Sequence, residues 1–133
     1  MKITKPTERK FFFENDPDEA WIILRYLNPG ERADIFDAVF DQQVEYKKNK
    51  ESGELEPVFR QSTNKKKDRE TTFIKSIVEW GNFFDEDGSV LECTKDNIIR
   101  AMREIEGFIQ AVQEFRATME SDIAQEREDQ EKN

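Results

Sequence analysis

The residues of this 133-residue chain best suited to metal chemistry are Asp85, Glu86 and Asp87, which are followed by Gly88. Neighbouring acids followed by a glycine are typical of calcium-binding loops, in which side-chain oxygens ligate the ion and glycine makes the sharp turn. If Gly88 takes the sixth position of an EF-hand loop, Phe83 is first and Thr94 is twelfth. Neither residue has a carboxylate, so the sequence favours an acidic turn over a metal site.

The sequence lacks several residue types and motifs that are common in active sites. Histidine is absent and Cys93 is the only cysteine, so no imidazole base and no thiolate metal cage is available. Gly-rich phosphate loops and Gly-x-Ser-x-Gly turns are also missing from the sequence. Acid pairs such as Asp34 with Asp37, or Glu104 with Glu106, are better explained as the solvated face of a helix. The sequence therefore predicts a non-enzymatic protein without a cofactor.

Net charge makes basic partners more favourable than nucleic acids. The chain carries a net charge of −9, and the residues after Lys67 include 8 basic and 17 acidic ones. Such a surface repels phosphates, so we expect no direct nucleic-acid binding. The lysines of 47–50 and 65–67 have acidic neighbours and no interleaved aromatics, which favours a solubilising loop over a basic binding patch.

Apolar residues recur every three or four positions through the C-terminal helical region, from Ile98 to Ile123. One interpretation is that this stripe packs on the rest of the domain, as in most amphipathic helices. The functional interpretation is that its distal half exceeds what a small body can cover, and so binds a partner or a second copy. The candidate partner-binding residues are Phe108, Ile109, Val112, Phe115 and Met119.

The N-terminal elements are predicted from short apolar runs and turn residues. Residues 10–14 read as a strand, and the dense turn signal Asn15–Asp18 follows. Residues 19–27 fit either a buried strand or a helix, and their short length and β-favouring composition favour the strand. The two strands should form an antiparallel hairpin.

Helix starts and stops place the remaining elements. Asn28 and Pro29 indicate a helix that runs to about Tyr46, and Thr94 indicates an N-cap. The other expected elements are an exposed loop at 47–67, a helix from Asp68 to Gly81, a short hairpin around the acidic turn, and helices at 95–105 and 107–126 divided by Gly107.

The predicted fold class is therefore α+β and predominantly helical, with a small N-terminal antiparallel hairpin, a short second hairpin and three to four helices. Residues 9–126 are expected to form one domain between a flexible N-terminus (1–8) and a disordered acidic tail (127–133). Without a secretion signal or a long apolar run, the chain is expected to be cytoplasmic and not to bind membranes.

The order of these features resembles that of tail assembly chaperones of long-tailed bacteriophages. The specific part of the resemblance is Trp80 to Asn97, in which a Trp is followed by an acidic Asp-Gly turn, a short strand and a Thr-capped helix. The resemblance implies a chaperone in the host cytoplasm that keeps the tape-measure protein soluble while tail-tube subunits polymerise around it.

Two other functions remain open from the residues alone. The first is an acidic inhibitor that mimics nucleic acid and blocks a basic protein, with a phosphate-like row formed by Asp85, Glu86, Asp87, Glu92 and Asp96. The second is a minor structural protein of the virion. Salt-sensitive binding to a basic host protein would favour the first, and detection in purified particles would favour the second.

Overall fold

A three-stranded antiparallel sheet contains both N-terminal strands. The computed structural model describes residues 1–3, 5–63 and 65–131, and of residues 38–45 and 59–63 it describes the backbone only. Strand β1 (Glu8–Phe12) pairs with β2 (Trp21–Arg25), and Phe12 lies opposite Trp21. Burial alternates along β2, where Ile22 and Leu24 are fully buried. This period of two confirms the strand and the predicted hairpin.

The chain divides into two compact units instead of the single domain predicted for residues 9–126. Unit 1 comprises residues 1–28 together with those from Phe73 onward, and unit 2 comprises 29–72. The second boundary falls inside helix α2 (Lys65–Ser76), so no linker composition marks it in the sequence.

Unit 2 differs most from the sequence prediction. Helix α1 (Pro29–Val39) begins at the predicted proline but ends well before Tyr46. Residues 47–67 are not a loop, because β3 (Phe40–Lys48) and β4 (Leu55–Thr63) pair along their whole length and α2 begins at Lys65. The lysine-rich composition favours a loop, whereas the segment forms part of a long hairpin whose turn ends at Gly53.

The predicted helix from Asp68 to Gly81 is wrong at both ends. Helix α2 begins at Lys65 and ends at Ser76, and the rest of the segment forms β5 (Ile77–Gly81), which pairs with β2. A bulge leaves Val78 without an opposite residue, so Ile77 and Trp80 are both buried although three positions separate them. The bulge therefore gives a strand the apolar spacing of a helix.

Two helices complete unit 1 and confirm the predicted C-terminal region. Helix α3 (Lys95–Glu104) starts behind Thr94, whose Oγ1 accepts a hydrogen bond from the Asn97 amide at 3.2 Å. Gly107, at φ +80°, separates α3 from α4 (Phe108–Glu131). Residues 127–131 are thus helical and exposed, which corrects the predicted disordered tail, and residues 132–133 lie outside the described part of the chain.

The core of unit 1 lies between one face of the sheet and the helices. Its side chains come from strands, from helices and from the segments between them, and many of them are aromatic. The most deeply buried are Ile22, Leu24, Phe73, Phe108, Val112 and Met119. Because these residues come from distant parts of the sequence, folding of unit 1 fixes the relative positions of the β1–β2 turn, the segment after β5 and the start of α4.

Candidate functional site

A groove of about 650 Å³ lies in unit 1, where three separate stretches of chain converge. They are the β1–β2 turn at residues 13–20, the segment 82–84 after β5, and the α3–α4 junction with the first turns of α4, at residues 105–118. All three are held by the core described above. The groove is consequently a feature of the folded unit and not of one local motif.

Aromatic rings form the floor of this groove. Phe13 contacts three of them, with ring centroids 5.6 Å from Phe83, 6.0 Å from Phe108 and 5.2 Å from Phe115. Phe83 and Phe108 are buried, whereas Phe13 and Phe115 remain partly accessible. Rings fixed by one another in this way present apolar area at little entropic cost to a bound segment.

Two exposed apolar side chains stand at the mouth of the groove. Phe84 is 45% exposed and Ile105 is 41% exposed. Both also line a smaller cleft of about 190 Å³ beside the acidic turn, so they form a ridge between the two depressions. Exposed apolar groups that adjoin a concave surface are typical of binding sites.

Carboxylates surround the apolar floor. The acidic residues that line the groove are Glu14, Asp16, Asp18, Glu106 and Glu114. No lysine or arginine is among the lining residues in the described part of the chain. One carboxylate has a structural role, since Asp16 Oδ2 accepts a hydrogen bond from the Ala20 amide at 2.9 Å. The field within the groove is therefore negative and favours cationic groups.

Left-handed backbone conformations concentrate beside the groove. Among the described residues other than glycine, positive φ angles occur at Asn15 (60°), Glu19 (55°) and Asn82 (64°). Asn82 Nδ2 donates to the Glu19 carbonyl at 3.1 Å and so ties two of these positions together. Conformations of this kind are costly for residues with a Cβ atom and occur preferentially at functional sites.

The five predicted partner-binding residues do not form an exposed face. Phe108, Val112 and Met119 are buried in the core of unit 1, at 2%, 0% and 2% exposure. Ile109 and Phe115 are only partly buried and pack against that core. The periodic stripe is the inward face of α4, and partner binding by these residues stays a prediction. Only Phe108 and Phe115 line the groove, from its floor.

The acidic segment forms the turn that the sequence predicts. Phe84 and Val90 form an antiparallel bridge around it, and Gly88 adopts φ +85°. The amide of Gly88 donates to the Asp85 carbonyl at 2.9 Å, and the Asp85 amide donates to the Ser89 carbonyl at 2.8 Å. Within the described part of the chain, no group of three or more Asp, Glu or Cys residues is arranged to hold a metal ion.

Local hydrogen bonds engage the carboxylates of this turn. The Glu86 amide donates to Asp85 Oδ1 at 2.7 Å, and Arg100 lies 3.4 Å from the same oxygen. These two interactions, the amide first, hold the pKa of Asp85 below its usual 3.8. Hydrogen bonds from Ser89 likewise lower the pKa of Asp87. The turn therefore offers less unpaired negative charge than its sequence suggests.

Acid should weaken unit 1 through these two carboxylates. Because their pKa values are lower in the folded state, their stabilisation is complete above pH 3.8 and is lost as the pH falls through the folded values. We expect Asp85→Asn to lower the urea midpoint at about pH 6 and to have a smaller effect at about pH 2. An effect of equal size at both pH values would contradict the assignment.

Comparisons with protein-family models, with curated proteins and with solved structures give no match for this chain. In the helices that the structure describes, no stretch combines the length and the apolar character needed to cross a membrane. The groove is formed by three separate stretches of chain, and no single sequence motif is responsible for it. Phe83 and Phe84, which lie within the segment Trp80–Asn97, are two of its lining residues.

Proposed function

We propose that this protein is a non-enzymatic assembly chaperone, and that its groove holds an apolar, positively charged segment of a partner protein. The groove combines an aromatic floor with a rim that carries five carboxylates and, among the described residues, no basic side chain. That combination supports the proposal because it matches an amphipathic segment with apolar side chains on one face and lysine or arginine on its borders.

The tail assembly chaperone is the specific form of this proposal. The resemblance from Trp80 to Asn97 suggests a tape-measure protein as the partner, with tail-tube subunits as a further contact and the host cytoplasm as the place of action. Tape-measure proteins are long and helical, so apolar helix faces must be covered before the tail tube encloses them. An apolar groove with an acidic rim would cover such a face and keep the complex soluble.

The groove proposal predicts binding of a cationic amphipathic peptide. The probe is a helical peptide of about 15 residues with Phe and Leu on one face and Lys on its borders. We expect Phe84→Ser and Ile105→Ser each to raise its Kd about tenfold, because truncating a well-packed apolar contact costs more than about 1 kcal/mol. Glu106→Lys with Glu114→Lys should weaken binding further and reduce its dependence on salt. Isothermal titration calorimetry measures each Kd.

Matched controls make this test specific. Val78→Ser removes an apolar side chain that is 40% exposed and does not line the groove, and Asp122→Lys reverses an exposed α4 charge outside it. Both variants should bind like the unaltered protein, and a peptide with Glu in place of Lys should not bind. Equal losses in the groove and control variants would refute the proposed site.

Co-expression tests the specific form. Tape-measure protein should accumulate in the soluble fraction together with this chain and should aggregate with the Phe84→Ser, Ile105→Ser double variant. If the solubility of the tape-measure protein does not depend on this chain, the tail assembly chaperone proposal is refuted. The prediction that the groove binds a cationic peptide is not affected by that result.

The nucleic-acid mimic is less well supported by the geometry. Asp85 is paired with Arg100, and Asp87 is hydrogen-bonded to Ser89, so two members of the acidic row are engaged within the turn. A minor structural role in the virion would place the protein in purified particles, where mass spectrometry detects it. A chaperone should be absent from them.

A further inference from the structure

The end of the β3–β4 hairpin in unit 2 is exposed. None of the side chains from Tyr46 to Pro57 is buried, and Tyr46 and Leu55 are 67% and 68% exposed. A two-stranded hairpin without a covering element is only marginally stable in water. This end of unit 2 therefore has apolar area that another surface could cover.

Hydrogen bonds within the turn preorganise the hairpin end. The Asn49 amide donates to the Glu54 carbonyl at 2.8 Å, and the Gly53 amide donates to the Asn49 carbonyl at 2.8 Å. The Asn49 side chain accepts from the Glu51 amide at 2.9 Å and donates to Glu56 at 2.8 Å. A hairpin end fixed in this way loses little conformational entropy on binding.

Strand register separates the charges of the hairpin end. Tyr46 lies opposite Pro57, and Lys48 lies opposite Leu55, so these four residues share one face. Lys47 and Glu56 lie opposite each other on the reverse face. The first face thus combines three apolar side chains with one positive charge and has no carboxylate among its paired residues, while Glu51 and Glu54 lie in the turn beyond this face. It has the chemistry that the groove of unit 1 fits.

We infer that the hairpin end of one molecule, residues 46–57, occupies the groove of a second copy of this chain. The inference rests on the groove being a binding site, as proposed above. Lys48 faces the carboxylate rim, and Tyr46 and Leu55 cover the aromatic floor. Pairing two hairpin ends face to face would bring their Lys48 side chains together, so charge favours the hairpin-to-groove contact.

This contact joins two different surfaces, and each molecule carries one of each. It is therefore heterologous and produces rings or open chains instead of a simple two-fold dimer. A partner segment that enters the groove displaces the hairpin end. Self-association then protects the apolar groove until the partner is present, and partner binding releases single copies.

Complementation between two variants tests the inference. The hairpin variant is Tyr46→Ser with Leu55→Ser, and the groove variant is Phe84→Ser with Ile105→Ser. Unaltered protein should show a mass that increases with concentration and decreases with salt in analytical ultracentrifugation, while each variant alone is a monomer. An equimolar mixture should form a 1:1 dimer and nothing larger. The groove variant supplies the intact hairpin end, the hairpin variant supplies the intact groove, and no further pair of intact surfaces remains. Circular dichroism confirms that both variants fold.

Three results would overturn the inference: a monomeric unaltered protein at every concentration, a mixture that forms no dimer, or association that the groove variant retains. The Val78→Ser control should associate normally. Peptide binding by a protein that is always monomeric would refute self-association and leave the proposed function intact. Self-association that the groove variant abolishes, in a protein that binds no cationic peptide, would refute the proposed function and leave this inference standing.

Discussion

Replacing Phe108 with Ala should destabilise unit 1 by about 3–5 kcal/mol, the usual cost of removing a buried aromatic ring. Phe108 is 2% exposed, and its ring lies near those of Phe13, Phe73, Trp80 and Phe83, with centroids 6.0–6.3 Å away. Strands, α2 and α4 all meet at this residue, so the cavity could not be filled without moving several elements. Urea unfolding followed by tryptophan fluorescence measures the loss.

Ile105→Ala is the matched control, because it also shortens an apolar side chain at the α3–α4 junction but at a position that is 41% exposed. We expect this variant to cost less than about 1 kcal/mol. The contrast distinguishes the two roles of the predicted stripe. If Phe108→Ala costs no more than the control, the ring does not hold the elements together, and the predicted exposed face of α4 regains support.

Local chemistry explains which elements the sequence predicts correctly. The Asn15–Asp18 turn and the Thr94 cap are determined by side chains that hydrogen-bond to nearby backbone, so a short window contains the necessary information. Gly107 is similar, because its positive φ ends one helix and starts the next. These positions define the N-terminal hairpin and the break between α3 and α4.

Long-range pairing explains the errors. Strand β5 resembles a helix in sequence because the bulge at Val78 turns Ile77 and Trp80 to the same side, and only the partner strand β2 reveals that bulge. The hairpin β3–β4 resembles a loop because its composition is polar and rich in lysine. Pairing between residues 40–48 and 55–63 depends on register, which composition does not encode.

The groove could be predicted only in part. Phe108 and Phe115 are among the residues predicted to bind a partner, but the prediction places them on an exposed face. Helical periodicity does not show whether the apolar side of α4 packs on the rest of the unit. Phe13 and Phe84 come from distant stretches and meet only in the folded unit. Asn15 and Asn82 offer a weak signal, since asparagine tolerates left-handed conformations better than most residues, but single asparagines are too common to locate a site.

Gly81→Ala should destabilise unit 1 by about 1–3 kcal/mol, the typical cost of overpacking. A Cβ atom at this position would clash with Cε2 and Nε1 of Trp21, because the indole lies directly against the glycine in the neighbouring strand. The ring must therefore move away from β5. Its movement would also disturb the contact with the Lys10 ammonium, which lies 4.2 Å from the ring centroid. Urea unfolding measures the cost, and a red shift in fluorescence reports exposure of the ring.

A double-mutant cycle identifies the cause of this loss. In a Trp21→Leu background no indole contacts position 81, so adding Gly81→Ala should cost only a few tenths of a kcal/mol. The coupling between the two positions should then account for most of the penalty. If Gly81→Ala is equally destabilising in both backgrounds, the glycine is needed by the backbone of β5 itself. Close approach of Trp21 would then be a consequence of the strand geometry and not the cause of the penalty.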